Sequence, residues 1–67
     1  MTVQLTLPVA RSLKRLGANI SKARRRREVD QATFATFMGV SLASLKRLEA
    51  GNPGVGLHMF VRALLAL

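Results

Sequence analysis

The chain has 67 residues, 11 Lys plus Arg against 3 Asp plus Glu, and no Cys, Trp or Tyr. One small domain is the most this length allows, and a core of this size supplies only about 3–5 kcal/mol, which excludes large enzyme folds and calls for tight helical packing or a second chain. Without cysteine there is no disulfide scaffold, thiolate zinc site or cysteine nucleophile, His58 alone cannot build a multi-histidine metal site, and a formal charge of +8 favours a polyanionic partner, either nucleic acid or an anionic membrane surface.

The opening residues Thr2, Val3, Gln4, Leu5, Thr6 and Leu7 alternate with a period of two that ends at Pro8. Residues 1–8 therefore read either as a short strand, which would pair with another chain because nothing later alternates, or as a tail. From residue 9 the period changes: Leu13, Leu16, Ile20, Ala23, Arg24 and Arg27 fall at steps of three and four, predicting a helix over 9–27 whose terminal cations suit the negative end of its dipole. Asp30 is placed to cap a second helix over 31–38, with Phe34, Ala35 and Met38 on one face and Gly39 as its stop. Ser41 can cap a third helix over 42–50, with Leu45 and Leu48 inward and Gly51 ending it. Asn52, Pro53 and Gly54 make a turn, and residues 57–67 predict a fourth helix with Leu57, Phe60, Val61, Leu64 and Leu65 on a broad apolar face and Arg62 opposite. The expected fold is all-α, a small bundle of four helices, with the folded domain over 9–67. No apolar run is long enough to span a membrane. A secretory signal is not expected, because apolar residues 3–9 precede the charges, and a transit peptide, which 11–27 resemble in composition, would not run directly into a patterned domain.

The informative stretch is 31–50. Two short helices joined through Gly39, Val40 and Ser41 fit a helix-turn-helix, which needs a small residue inside the first helix and glycine at the corner. Ala35 and Gly39 supply these, while Phe34, Met38, Val40, Leu45 and Leu48 occupy the positions that face the core. On these residues, QATFATFMGVSLASLKRLEAG resembles the phage-repressor, or xenobiotic-response-element (XRE), family of helix-turn-helix regulators. The preceding LGANISKARRRR is similar to that family's first helix, and NPGVGLHMFVRALLAL to the segment after the recognition helix in HipB-like antitoxins, so the likeness covers about residues 12–67. It implies a lambda-repressor-like fold, a second motif helix lying in the major groove, and a homodimer on a two-fold operator in double-stranded DNA.

The resemblance also assigns roles. Gln31 matches a glutamine whose side chain and neighbouring backbone N–H meet a phosphate. Ser41 and Ser44 match positions that touch backbone or bases. Leu42, Ala43 and Arg47 match positions facing base edges, where Arg47 could pair bidentately with guanine and the apolar pair could meet a thymine methyl. Lys46 is better placed as a phosphate anchor.

The run Arg24 to Arg27 is not one DNA-binding patch, since four consecutive helical residues fan over about 300°. Arg24 follows Ile20 by four residues and so lies on the buried stripe, where a guanidinium needs a carboxylate. Glu49 is the only acid in the second half of the chain, and it matches the family position that pairs with this arginine. An Arg24–Glu49 ion pair is therefore expected to fix the first helix against the recognition helix.

The chain departs from the family at Glu28, where glycine is usual after the first helix, and at Gly56, where the fourth helix usually has a Ser or Thr cap. The family also continues into a fifth helix beyond the position of Leu67, which leads one to expect Leu64, Leu65 or Leu67 to be exposed unless a partner covers them, or the sequence to be a piece of a longer protein. Phe37 lies off the core stripe, as interface or rim packing, His58 reads as a surface residue, and Met38 and Met59 as core filler. No acid and base pair, metal set or phosphate loop points to an enzyme, and no cofactor is expected.

The leading expectation is a cytoplasmic, nucleoid-associated bacterial regulator, an antitoxin-like autorepressor whose partner, as the resemblance implies, would be a HipA-like kinase toxin. Two alternatives come from other classes: a cationic amphipathic binder of membrane surfaces, and an interaction module that keeps the fold without binding an operator, as apolar Leu42 and Ala43 on the reading face would allow.

Overall fold

The computed structural model describes residues 6–67, which form four helices: α1 (Leu7–Arg26), α2 (Gln31–Met38), α3 (Leu42–Glu49) and α4 (Leu57–Ala66). The fold is all-α, and no strand occurs among the described residues. Of the expected strand or tail over 1–8, residues 1–5 lie outside the described part, while Leu7 and Pro8 belong to α1. The physical reason is Pro8, which stands in the first turn, where its fixed φ suits a helix and its missing N–H costs nothing.

Three successive helices end in the same way. After α1, the Glu28 N–H donates to the Arg25 carbonyl and the Val29 N–H to that of Arg24. After α2, Gly39 donates to Thr36 and Val40 to Ala35; after α3, Gly51 donates to Leu48 and Asn52 to Arg47. Each is a Schellman motif with a left-handed residue at the turn, and Val29 and Val40 add the apolar contact that often accompanies it. Glycine holds the left-handed position at Gly39 (φ 72°) and Gly51 (φ 74°), but the first motif uses Glu28 at φ 56°. The turn therefore keeps the geometry that glycine would give, at the cost of Cβ strain of about 1–2 kcal/mol.

The starts differ more. The Asp30 carboxylate accepts the Thr33 N–H at 2.7 Å, and the Ser41 hydroxyl accepts the Ser44 N–H at 3.1 Å, so α2 and α3 are capped by the residues expected. Neither Thr6 before α1 nor Gly56 before α4 makes a side-chain cap.

The core is built where the four helices meet. Phe34, Leu45 and Leu48 are the largest fully buried side chains, with Ile20, Ala35, Met38, Met59, Phe60 and Ala63 around them. Two glycines bring α1 onto the end of α3 at backbone contact. A Cβ on Gly17 would press on the carbonyls of Leu48 and Glu49, the latter at 2.7 Å, and one on Gly51 would stand 2.5 Å from the Lys14 Cα. No side chain fits at either point. Arg62, expected opposite the apolar face of α4, instead reaches back to donate to the Met38 carbonyl at 3.1 Å, which ties α4 to the C-terminal end of α2.

Replacing Glu28 by glycine relieves the Cβ strain and adds back some chain entropy to the unfolded state, so the net effect is a stabilisation of about 1 kcal/mol. Thermal melts of Glu28→Gly should show a Tm several degrees higher; a lower Tm would mean that the Glu28 side chain contributes something that outweighs the strain.

Candidate nucleic-acid interface

A hydrogen-bonded network around one carboxylate holds α3 in place. Arg24 is only 8% exposed, and its Nε donates to Glu49 Oε2 at 2.7 Å while Nη2 donates to Oε1 at 3.2 Å, a bidentate charge-assisted pair. Its remaining Nη1 donates to the Val29 carbonyl at 2.8 Å, so the same guanidinium also pins the turn after α1. Gln31 Nε2 adds a further bond to Glu49 Oε1 at 3.0 Å. One carboxylate from the end of α3 thus joins α1, the following turn and the start of α2, and no buried side-chain nitrogen or oxygen among the described residues lacks a partner.

The electrostatics of Glu49 follow from this arrangement. Burial pushes its carboxyl up, but the hydrogen bonds from Arg24 and Gln31 and the Arg24 charge outweigh it, and the group is held below the usual carboxylate range. Asp30 is also held low, chiefly by the hydrogen bond from the Thr33 backbone N–H.

With its inner face fixed, α3 turns a distinct outer face to solvent. Leu45 and Leu48 are fully buried, whereas Ala43, Lys46, Arg47 and Ala50 are exposed and Leu42 is 38% exposed. Leu42, Ala43, Lys46 and Arg47 therefore share one accessible surface. Ser41 and Ser44 sit at its N-terminal edge with their hydroxyls already engaged, Ser41 Oγ donating to Ser44 Oγ at 2.9 Å. Gln31 lies apart from that surface in one respect: its side-chain amide, expected at a phosphate, is turned inward to Glu49. Arg47 Nη2 approaches Ser44 Oγ at 3.4 Å, too long to hold the guanidinium firmly.

A polar hollow of about 230 Å³ adjoins this face, lined by Ser44, Arg47, Asn52, Gly54, Val55 and Met59. Asn52 shapes its rim by accepting the Gly54 N–H at 2.7 Å, a side-chain turn that fixes the loop between α3 and α4. The sequence marks these residues only as a turn, and their place beside Arg47 depends on how α4 packs. Phe37 stands out at 63% exposure, and His58 is exposed as expected.

No protein-family model, curated protein or solved structure matches the chain.

Removing the carboxylate should cost more than removing an ordinary surface charge. Glu49→Ala strands a buried guanidinium, at about 3–5 kcal/mol, which is comparable to all the stability a core of this size provides. The variant should lack a cooperative thermal transition by circular dichroism; an unchanged Tm would contradict the role given to the pair. Since the folded pKa of Glu49 lies below its unfolded value, its contribution is complete above the usual carboxylate range and is lost as pH falls through the folded value. Acid should therefore lower the Tm.

Proposed function

We propose that the chain is a sequence-specific double-stranded DNA-binding regulator that lays α3 in the major groove. The observation that supports this most is the division of α3 into a locked inner face and an outer face of small side chains and two cations. Leu45 and Leu48 are fully buried and Glu49 is tied to Arg24, while Ala43, Lys46 and Arg47 stand clear. A helix presented in this way can approach base edges closely, with Arg47 reaching guanine, Leu42 and Ala43 a thymine methyl, and Lys46 a phosphate. Eight of the eleven cations fall between Arg11 and Arg27, and those exposed on α1 add attraction to phosphate that is independent of sequence.

The family resemblance extends the proposal. Two copies would bind a two-fold operator, and the protein would act as an antitoxin-like autorepressor in the bacterial cytoplasm, with a HipA-like kinase toxin as its protein partner. A membrane-surface role has less support, because the buried positions of α1, Gly17, Ile20 and Arg24, are taken up by packing inside the domain. No helix among the described residues is long and apolar enough to cross a membrane.

Selection from a pool of random duplexes should enrich a single sequence. On that duplex, Lys46→Ala should weaken binding evenly across sequence variants and reduce the salt slope by about 1, while Arg47→Ala should cost about 1–3 kcal/mol and flatten preference at one or two positions. If both variants bind like the parent at every salt concentration, α3 is not the reading helix.

A further inference from the structure

An open apolar concavity lies away from α3. Leu13, Leu16 and Ile20 of α1 face Phe60, Val61 and Leu64 of α4 across a groove of about 420 Å³. A second hollow of about 300 Å³, carrying Pro8 and Val9, joins it through Leu13 and Leu16. Together they form a trough that follows α1 from Pro8 to Ile20, about 18 Å, or three turns of a helix. Its α4 side is apolar and open, with Leu64 at 60% and Leu57 at 78% exposure. Scattered single leucines on a surface need no explanation, but a continuous concave strip does.

Charge indicates what would fit there. Arg15 lies about 100° around α1 from Leu16 on the side away from the core, and Lys22 about 20° behind it near the end of the trough; both are exposed. None of the three acidic residues, Glu28, Asp30 and Glu49, belongs to α1 or α4. A second copy seated on this groove would set Arg15 and Lys22 against their own counterparts, with no carboxylate on α1 or α4 to meet them. An anionic bilayer matches the charge but not the shape, since a flat surface takes a protruding apolar face and this one is recessed. A rod with an apolar stripe matches both shape and lining.

We propose that the α1–α4 groove is a docking site for an amphipathic helix of another protein, about three turns long, with leucine-like anchors on one face and Asp or Glu along its flank. The anchors fill the space between Leu16 and Leu64, and the flanking carboxylates meet Arg15 and Lys22. Neither α2 nor α3 contributes to the groove lining, so the site does not depend on the DNA reading and can be occupied or empty without it.

The test uses the whole protein and a labelled synthetic peptide of about 14 residues, with leucines at helical spacing and glutamates on the flank. Fluorescence anisotropy should show binding that is weakened about tenfold or more when glutamines replace the glutamates, when salt is raised from about 0.05 to about 0.3 M, or when the protein carries Leu64→Gln. A scrambled peptide of equal charge should not bind. Circular dichroism checks that Leu64→Gln and the parent are equally folded. Absence of binding by the folded parent, equal binding of the glutamine or scrambled peptide, or equal binding by Leu64→Gln would each overturn the proposal. So would a dimer in sedimentation equilibrium that Leu64→Gln dissolves, which would make a second copy the occupant, or co-sedimentation with phosphatidylglycerol vesicles that the same substitution abolishes.

Discussion

Arg24 and Glu49 meet where little water reaches them, and each makes the other's burial tolerable. A guanidinium at 8% exposure has to replace its hydration, and here it does so with both carboxylate oxygens of Glu49 and the carbonyl of Val29. Such a pair is not the most stabilising way to fill the space, since apolar residues of similar volume often do as well or better. What it adds is direction. Five N–H donors on the three nitrogens of a rigid fork and two oxygens on a short carboxylate allow few relative placements of α1 and α3. Gln31, bonded to the same carboxylate, brings α2 into that arrangement.

The pair could not form if the backbones were held apart. Gly17 sits on the carbonyls that end α3, and Gly51 sits on the backbone of α1 at Lys14, so the two helices touch without side chains between them. From that contact follow the inward direction of Leu45 and Leu48, the position of Glu49, and the outward face that carries Ala43, Lys46 and Arg47. The charge of the molecule is thereby sorted by role. One arginine is structural, Arg62 caps the end of α2, two cations stand on the outer face of α3, and those exposed on α1 form a general field around the domain.

Much of this is legible in the sequence, and the parts that are not share a cause. The ends of α2 and α3 are written locally by Asp30, Gly39, Ser41 and Gly51, because caps act within one turn. The burial of Arg24 is legible from its place four residues after Ile20. By contrast, six alternating residues outweigh Pro8 in a periodicity reading, although Pro8 takes its place in the first turn of α1. Glycine inside a helical pattern reads only as a weakness, and the value of Gly17 appears only once α3 lies against it. Arg62 and Asn52 are assigned by tertiary position: the first depends on where Met38 ends its helix, the second on how the loop lies beside Arg47. Glu28 shows that a turn can keep its geometry while departing from its usual residue.

In the proposed function, DNA reading belongs to the outer face of α3, and the α1–α4 groove takes no part in it. Backbone amide shift mapping by NMR, with the protein titrated by the selected duplex at near-physiological salt, separates these surfaces in one measurement. The largest changes should fall on residues 41–47, with the loop at Asn52 to Gly54 beside them and little change at Leu57 to Leu64. Changes confined to the basic face of α1, with α3 silent, would contradict it.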